Sequence, residues 1–364
     1  LINLKKSKVK EFFMSKYWNS LVHKLEPYIP GEQPKDKKYI KLNTNENPYP
    51  PSPKVIDAIS TANNETLKLY PDPNCDELRA TVANYFNIQS DEVFIGNGSD
   101  EVLAFSFMTF FESAKPVLFA DITYSFYKVY ANLCSLQPLI IPLDDEFKIP
   151  VEAFCTENGG IIIPNPNAPT GEEISIAAIK KILEYNKDSV VIIDEAYIDF
   201  GGESMSKYIK DYPNLLVVHT LSKSRSLAGL RVGFALGNKE LIDGLNRVKN
   251  SFNSYTIDRL ALAGAKAAIE DVEYFKETSL KIVNTREKTI STLKELGFKV
   301  IPSSANFIFI SHCHKAAKNI FEELKTKGIL VRYFNQPRID NYLRVTIGTD
   351  EEMLQFVSAL KEII

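Results

Sequence analysis

The strongest constraint on this chain is a series of short, fully apolar segments, each stopped by a polar loop, between residues 93 and 235. They are Val93-Phe94-Ile95, Pro116-Val117-Leu118-Phe119, Gly160-Ile161-Ile162-Ile163, Val190-Val191-Ile192-Ile193, Leu216-Val217-Val218 and Val232-Gly233-Phe234-Ala235. Helical patterns separate most of them, as in Asp100 to Phe111 and Ile174 to Tyr185. Apolar strands alternating with helices predict an α/β fold with a mostly parallel sheet covered on both faces.

The texture differs on either side. Residues 27–53 are dense in Pro, Asn and Gly, which opposes regular helix and central strand, so an extended arm over 1–53 is expected. The alternating region then forms a large domain over 54–255. Beyond it, a long helical pattern runs from Asp258 to about Leu296. Strands are expected at Phe298-Lys299-Val300, Asn306 to Ile310 and Tyr342 to Thr346, with helices over 315–327 and 351–363. These predict a smaller α+β domain over 256–364. Division is expected because 364 residues exceed what one core of roughly 250–300 residues holds.

Composition excludes several classes. With 43 Lys+Arg against 46 Asp+Glu the net charge is −3, which leaves no basic footprint for nucleic acid. No apolar run of about 18 residues is available to span a membrane. Four cysteines (Cys75, Cys134, Cys155 and Cys313) with no C-x-x-C pair suggest reduced thiols and a cytoplasmic setting. His312-Cys313-His314 could suggest a metal, but a closed site needs about four ligands, and a strand end is the expected reading. The lysine-rich residues 1–10 lack the apolar core of a secretory signal, and Met14 could serve as an alternative start.

Ligands of open α/β sheets sit beyond the carboxyl ends of the strands, and four polar motifs fall at such ends. Gly96-Asn97-Gly98-Ser99-Asp100-Glu101 follows a strand and opens a helix; its free N–H groups suit an anion, or Ser99 or Asp100 simply caps a turn. Asn165-Pro166-Asn167-Ala168-Pro169-Thr170-Gly171 is a stiff loop in which Asn167 could hold a ligand hydroxyl, or a structural turn. Asp194-Glu195-Ala196-Tyr197 puts an acid at the tip of a buried strand, which is costly without a cation: a metal, a ligand cation or a distant Arg. A helix cap or structural ion pair is the alternative. Thr220-Leu221-Ser222-Lys223 leads to Arg231, a spacing that suits a Schiff-base lysine beside an anion clamp. A basic surface loop would leave Gly229, Gly233 and the apolar residues between them unexplained. One small molecule uses all four: a pyridine bearing a phosphate, an aldehyde and a ring nitrogen.

On these motifs the chain resembles the pyridoxal-phosphate aminotransferases of the aspartate-aminotransferase fold, from about Tyr28 onward. Pro27-Tyr28-Ile29-Pro30-Gly31-Glu32-Gln33-Pro34, Lys41-Leu42-Asn43-Thr44-Asn45-Glu46-Asn47-Pro48 and Leu69-Tyr70-Pro71-Asp72 are similar to the histidinol-phosphate aminotransferase branch. The resemblance implies pyridoxal 5'-phosphate as cofactor, with Lys223 as the Schiff-base lysine and proton carrier. It implies Asp194 on the ring nitrogen, Tyr197 on the ring hydroxyl oxygen and Tyr124 stacked on the ring. Thr220, Ser222, Arg231 and the N–H groups of Ser99 and Asp100 would hold the phosphate. Tyr70 would reach the cofactor of a second subunit, making a homodimer part of the expectation. Arg344, Arg332 and Tyr28 would meet the substrate.

Ala168 stands where many relatives carry Asn, so either Asn167 or Tyr197 with water takes that place. Ile122 stands where relatives often carry Pro. The implied reaction exchanges an amino group between histidinol phosphate and 2-oxoglutarate, in histidine biosynthesis. Threonine-phosphate decarboxylase and aromatic-amino-acid aminotransferase are the rivals on the same fold. A non-catalytic regulator that senses the cofactor would need a DNA-binding domain for which residues 1–45 are too short and too Pro-rich.

Overall fold

The computed structural model describes residues 15–28 and 31–364. The lysine-rich start, Met14, and Ile29-Pro30 of the Pro-Tyr-Ile-Pro-Gly motif lie outside the described residues.

A two-residue strand, β1 (Ile40–Lys41), precedes a run of seven: β2 (Val93–Gly96), β3 (Val117–Ala120), β4 (Pro138–Ile141), β5 (Gly160–Pro164), β6 (Val191–Asp194), β7 (Leu215–Thr220) and β8 (Gly233–Gly237). These seven form one sheet in the order β2-β8-β7-β6-β5-β3-β4, in which only β8 runs against its neighbours. Side chains alternate across a strand, so each apolar segment feeds two cores. Ile161, Ile163, Val191, Ile193, Leu215 and Val217 face one helical layer, while Ile162, Ile192, Leu216 and Val218 face the other. Each such burial contributes roughly 1.5–3 kcal/mol, which is why the segments tolerate no polar residue until the strand ends.

The C-terminal part adds β9 (Phe298–Ile301), β10 (Phe307–His312), β11 (Ile329–Leu330), β12 (Arg332–Tyr333) and β13 (Leu343–Thr346). Four of these build an antiparallel sheet in the order β12-β13-β10-β9, with its own apolar cluster. The last helix, Asp350–Ile363, starts with a capping box between Thr349 and Glu352, which satisfies two orphan donors reciprocally.

Three features differ from the sequence reading. Strand β4 is absent from it because Pro138 opens the segment; the strand lies at the sheet edge, where a missing donor is tolerated. The single long helix expected after Asp258 is two, Arg259–Glu270 and Val272–Glu295, parted at Asp271. The Asp271 carboxylate accepts from Ser52 Oγ and from Lys54 Nζ (2.8 Å), which holds the break against the start of helix Pro53–Ala62. Helix Arg259–Glu270 buries Ala261, Ala265, Ala268 and Ile269 in the same cluster as β5, β6 and β7, so it packs with the large sheet despite its place in the chain. The arm is anchored in turn: Ile40 and Lys41 pair in parallel with Ile329 and Leu330, and Leu42 enters the C-terminal core.

Candidate active site

Because β8 is antiparallel, its first residue sits at the same sheet edge as the carboxyl ends of β2, β6 and β7. Gly233 is in register with both Gly96 and Thr220. That edge faces β12 and β13 across a cleft of about 300 Å³. Every residue singled out from the sequence lines this cleft except Asn167 and Tyr70.

At the bottom lies Asp194, the last residue of β6 and only 5% exposed. It accepts from Tyr127 Oη at 2.7 Å and from the Ala196 N–H at 3.2 Å. Both donors are neutral, so burial wins and pushes the carboxyl up to about 6. An acid in this state awaits a cation.

A cup opens beside it. Arg231 Nη2 pairs with Asp100 Oδ2 at 2.9 Å and Nη1 points at Ser222 Oγ at 3.4 Å; the Thr220 hydroxyl donates to Ser222 Oγ at 3.0 Å. The helix Gly98–Phe110 starts here, and its first N–H groups have no helical partner. Two glycines keep the cup open. A Cβ on Gly98, whose φ is +77°, would strike the Arg231 guanidinium, and one on Gly233 would strike Ser99 N. Tyr124 roofs this end and donates to Asp100 Oδ1 at 2.9 Å; burial, reinforced by the Asp100 charge, holds its phenol far above its ordinary pKa.

Lys223 extends into the middle of the cleft. Its Nζ donates to Thr44 O at 3.2 Å and lies 5.9 Å from the Tyr197 ring centroid. Tyr197 Oη accepts from Asn45 Nδ2 at 3.0 Å, and its ring meets Phe307 edge-on.

The far wall carries Arg332 and Arg344, which stand directly opposite each other in the β12–β13 register. Like charges so placed repel. Neither is in an ion pair among the described residues. Arg344 Nη2 donates to Asn43 O at 2.9 Å, but its buried Nε has no partner, and burial pulls the guanidinium below its ordinary pKa. Two unneutralised arginines side by side make a receptor for a doubly charged anion. Tyr28 closes this end, its ring centroid 4.5 Å from that of Phe126 with the rings tilted by 31°.

The two exceptions have physical reasons. Asn167 is turned away from the cleft, donating to Ile122 O after β3 (3.0 Å) and to Thr170 Oγ1 in its own loop (2.9 Å), and Ala168 takes the cleft-facing position. The geometry therefore does not place Asn167 as a cofactor ligand. Tyr70 is 77% exposed, stacked on Tyr255 away from the cleft.

Three residues escaped the sequence reading of the site. Tyr127 braces Asp194 from the first turn of helix Phe126–Leu133, three residues after Tyr124, which precedes the helix. Asn45 reaches Tyr197, and Asn47 Nδ2 donates to the main-chain oxygens of Lys223 (3.0 Å) and Ser224 (3.3 Å). The signal for both was the density of side-chain amides in Asn43-Thr44-Asn45-Glu46-Asn47, a motif noted for its family resemblance but given no role in the site.

This fold and cleft define an aminotransferase: residues 37–360 match the family described as aminotransferase class I and II, and the chain belongs to it. The cofactor of the family is pyridoxal phosphate. Among curated relatives, the histidinol-phosphate aminotransferase of Clostridium acetobutylicum is 67% identical over 351 residues, covering 96% of this chain and 100% of that protein. That of Clostridium beijerinckii is 63% identical over 96% of this chain and 98% of its own length. The fold is shared with the crystal structure of histidinol-phosphate aminotransferase from Sinorhizobium meliloti in complex with pyridoxal-5'-phosphate. That match has a TM-score of 0.86 at 24% identity and covers 96% of this chain and 98% of the other. The site fits such a group on its own terms. An uncompensated buried acid suits a ring N–H⁺, an open cup of N–H and hydroxyl groups beside a guanidinium suits a phosphate, and a primary amine lies between them.

Proposed function

We propose that this protein transfers an amino group between L-histidinol phosphate and 2-oxoglutarate, a step of histidine biosynthesis, with pyridoxal phosphate as cofactor. The observation that carries the substrate is the 67% identity to a histidinol-phosphate aminotransferase over that protein's whole length. The opposed Arg332 and Arg344 supply its physical basis. One partner of the reaction brings a phosphate and no α-carboxylate, the other brings carboxylates, and the planar guanidinium fork meets both anions equally well.

Pyridoxal phosphate, when bound, supplies an aldehyde that captures amines and a protonated ring that withdraws electrons from the substrate carbon. The chain does the rest. Lys223 would hold the cofactor's aldehyde carbon through its Nζ, and its amine is placed to serve as the general base and acid that moves the substrate's proton. Asp194, kept in place by Tyr127, holds the proton on the ring nitrogen; a cation there restores the charged carboxylate that burial disfavours. Tyr197 donates to the ring hydroxyl oxygen, in the role that a residue at Ala168 cannot fill. Tyr124 covers the ring face. Arg231, Thr220, Ser222 and the N–H groups of Ser99 and Asp100 hold the phosphate. Arg344, with Arg332 beside it, orients the substrate so that the reacting carbon meets Lys223, and Tyr28 covers the substrate end.

The working unit is a homodimer in the cytoplasm. Tyr70, exposed on its own subunit, reaches the cofactor phosphate of a second copy. The two functional units of each subunit are the large sheet with helix Arg259–Glu270 and the C-terminal sheet, with the arm strapped across both. Among the described residues no helix is long and apolar enough to cross a membrane.

The deciding experiment is a 2-oxoglutarate-dependent assay with histidinol phosphate beside threonine phosphate and phenylalanine, with carbon dioxide release followed in parallel. Preferred turnover of histidinol phosphate to glutamate without carbon dioxide supports the reading; preference for either competitor overturns it.

A further inference from the structure

The lysine-bearing loop contains a second cation, Arg225, to which the function above gives no task. It lies two residues past Lys223, is only 7% exposed, and points away from the cleft. Among the described residues it has no ion pair. Its Nη1 donates to Ala268 O at 2.6 Å, in the last turn of helix Arg259–Glu270. Its guanidinium carbon sits 3.6 Å from the ring centroid of Phe275, in the first turn of helix Val272–Glu295, and 5.2 Å from that of Tyr85. Burial lowers its pKa. The void around it is about 10 Å³, barely a water, so this is not a ligand site.

A guanidinium buried against a carbonyl and two rings is costly, and an apolar side chain there would not carry that desolvation cost. The directional contacts are what such a side chain lacks. Arg225 bridges the last turn of one helix and the first turn of the next, on either side of the break at Asp271. On the cleft side, the same three-residue stretch is held by Asn47, through the Lys223 and Ser224 carbonyls, and by the Ser224 hydroxyl donating to Asp199.

We infer that Arg225 is a positioning residue for Lys223: by clasping the junction of helices Arg259–Glu270 and Val272–Glu295, it sets the main chain from which the lysine reaches the reacting carbon. The cation is retained because its flat face and its N–H fork fix two helices at once. The lysine is placed from behind by Arg225 and from the side by the arm, and neither contact touches cofactor or substrate.

This rests on the proposed transaminase reading, so the test includes a measurement that needs no substrate. In cofactor-free protein, Arg225→Leu should raise hydrogen exchange of the 221–227 peptide about tenfold while the β5 peptide is unchanged. In loaded enzyme it should lower kcat at least about tenfold with KM changed less than about threefold, the pattern of a misplaced proton carrier. Arg225→Lys, which keeps a cation over Phe275 and a donor for Ala268 O but loses the planar fork, should recover only part of kcat. If Arg225→Leu is not soluble, Phe275→Leu serves, with the same signs and a smaller effect. The inference is overturned by unchanged exchange in 221–227, or by a loss that Arg225→Lys does not rescue and that comes with equal loosening of β5. Should the wild type fail to turn over histidinol phosphate, the functional reading falls, and the exchange data alone still decide the role of Arg225.

Discussion

The two ends of the cleft are built on opposite electrostatic plans. At the floor, the cations and anions are matched within the chain or wait singly: Arg231 meets Asp100, and Asp194 lies buried with only neutral donors. At the outer wall, two arginines face each other with no acid between them. A matched, hydroxyl-lined cup suits a group that stays, since it is stable when empty and adds contacts when filled. An unmatched cationic pair suits a ligand that comes and goes, since each departure restores the repulsion. The difference teaches where the chain accepts instability: one buried acid at the floor, and one half-buried, unneutralised arginine pair at the wall.

The sharpest way to break this comparison is at Lys223, which stands between the ends. Lys223→Ala should lower turnover by about 10³-fold or more and remove borohydride-fixed cofactor from that position, read by peptide mapping. Fixed cofactor on another lysine would mean that the centre of the cleft has been misjudged.

Asp194→Asn comes next and should act in two directions. Activity should fall about 10²–10⁴-fold, because the amide cannot hold a ring proton. Stability of the cofactor-free protein should rise. The folded pKa of about 6 lies above the ordinary carboxylate value of 3.8, so the folded state binds more protons between those values and wild-type stability declines as pH rises from about 4 through 6. The variant lacks this decline and should be more stable at pH 8 by on the order of 2–3 kcal/mol, measured by denaturant melts at several pH values. Parallel pH profiles for the two proteins would show that the acid is not strained.

Arg344→Ala should raise KM for both histidinol phosphate and glutamate about 10²-fold, the loss of a charge-assisted pair, and Arg332→Ala about tenfold. Because each removes a repulsion, neither should cost stability, and a fall in melting temperature without a KM change would make the wall structural. The smallest effect belongs to Asn47→Ala. Loss of its two bonds to the lysine loop should lower kcat a few-fold, about what one or two ordinary hydrogen bonds are worth, with little change in KM.

The strand-tip end was legible in the chain because each of its parts is a contiguous motif. Asp194 and Lys223 end apolar segments, and a sheet buried on both faces leaves polar side chains only at its rim. Asn167 was noticed for its amide, but that amide is occupied by Thr170 in its own loop and by Ile122 O from 45 residues away, and the second contact cannot be read from the chain. The wall was half legible. Arg332 and Arg344 could be named from their strands, but that they oppose each other depends on the register between two short strands. The break at Asp271 was invisible, since the helical pattern runs through it and its carboxylate is held by Ser52 and Lys54, over 200 residues away.

By itself the sequence determined the α/β layering and which polar motifs fall at the strand tips, because apolar periodicity and local polar motifs are short-range properties of the chain. Only the tertiary structure decided how the arm, the helix junction after Glu270 and the C-terminal sheet close over those tips. Contacts between residues 45 and 197, 47 and 223, or 225 and 268 bring together segments whose order along the chain says nothing about their distance in space.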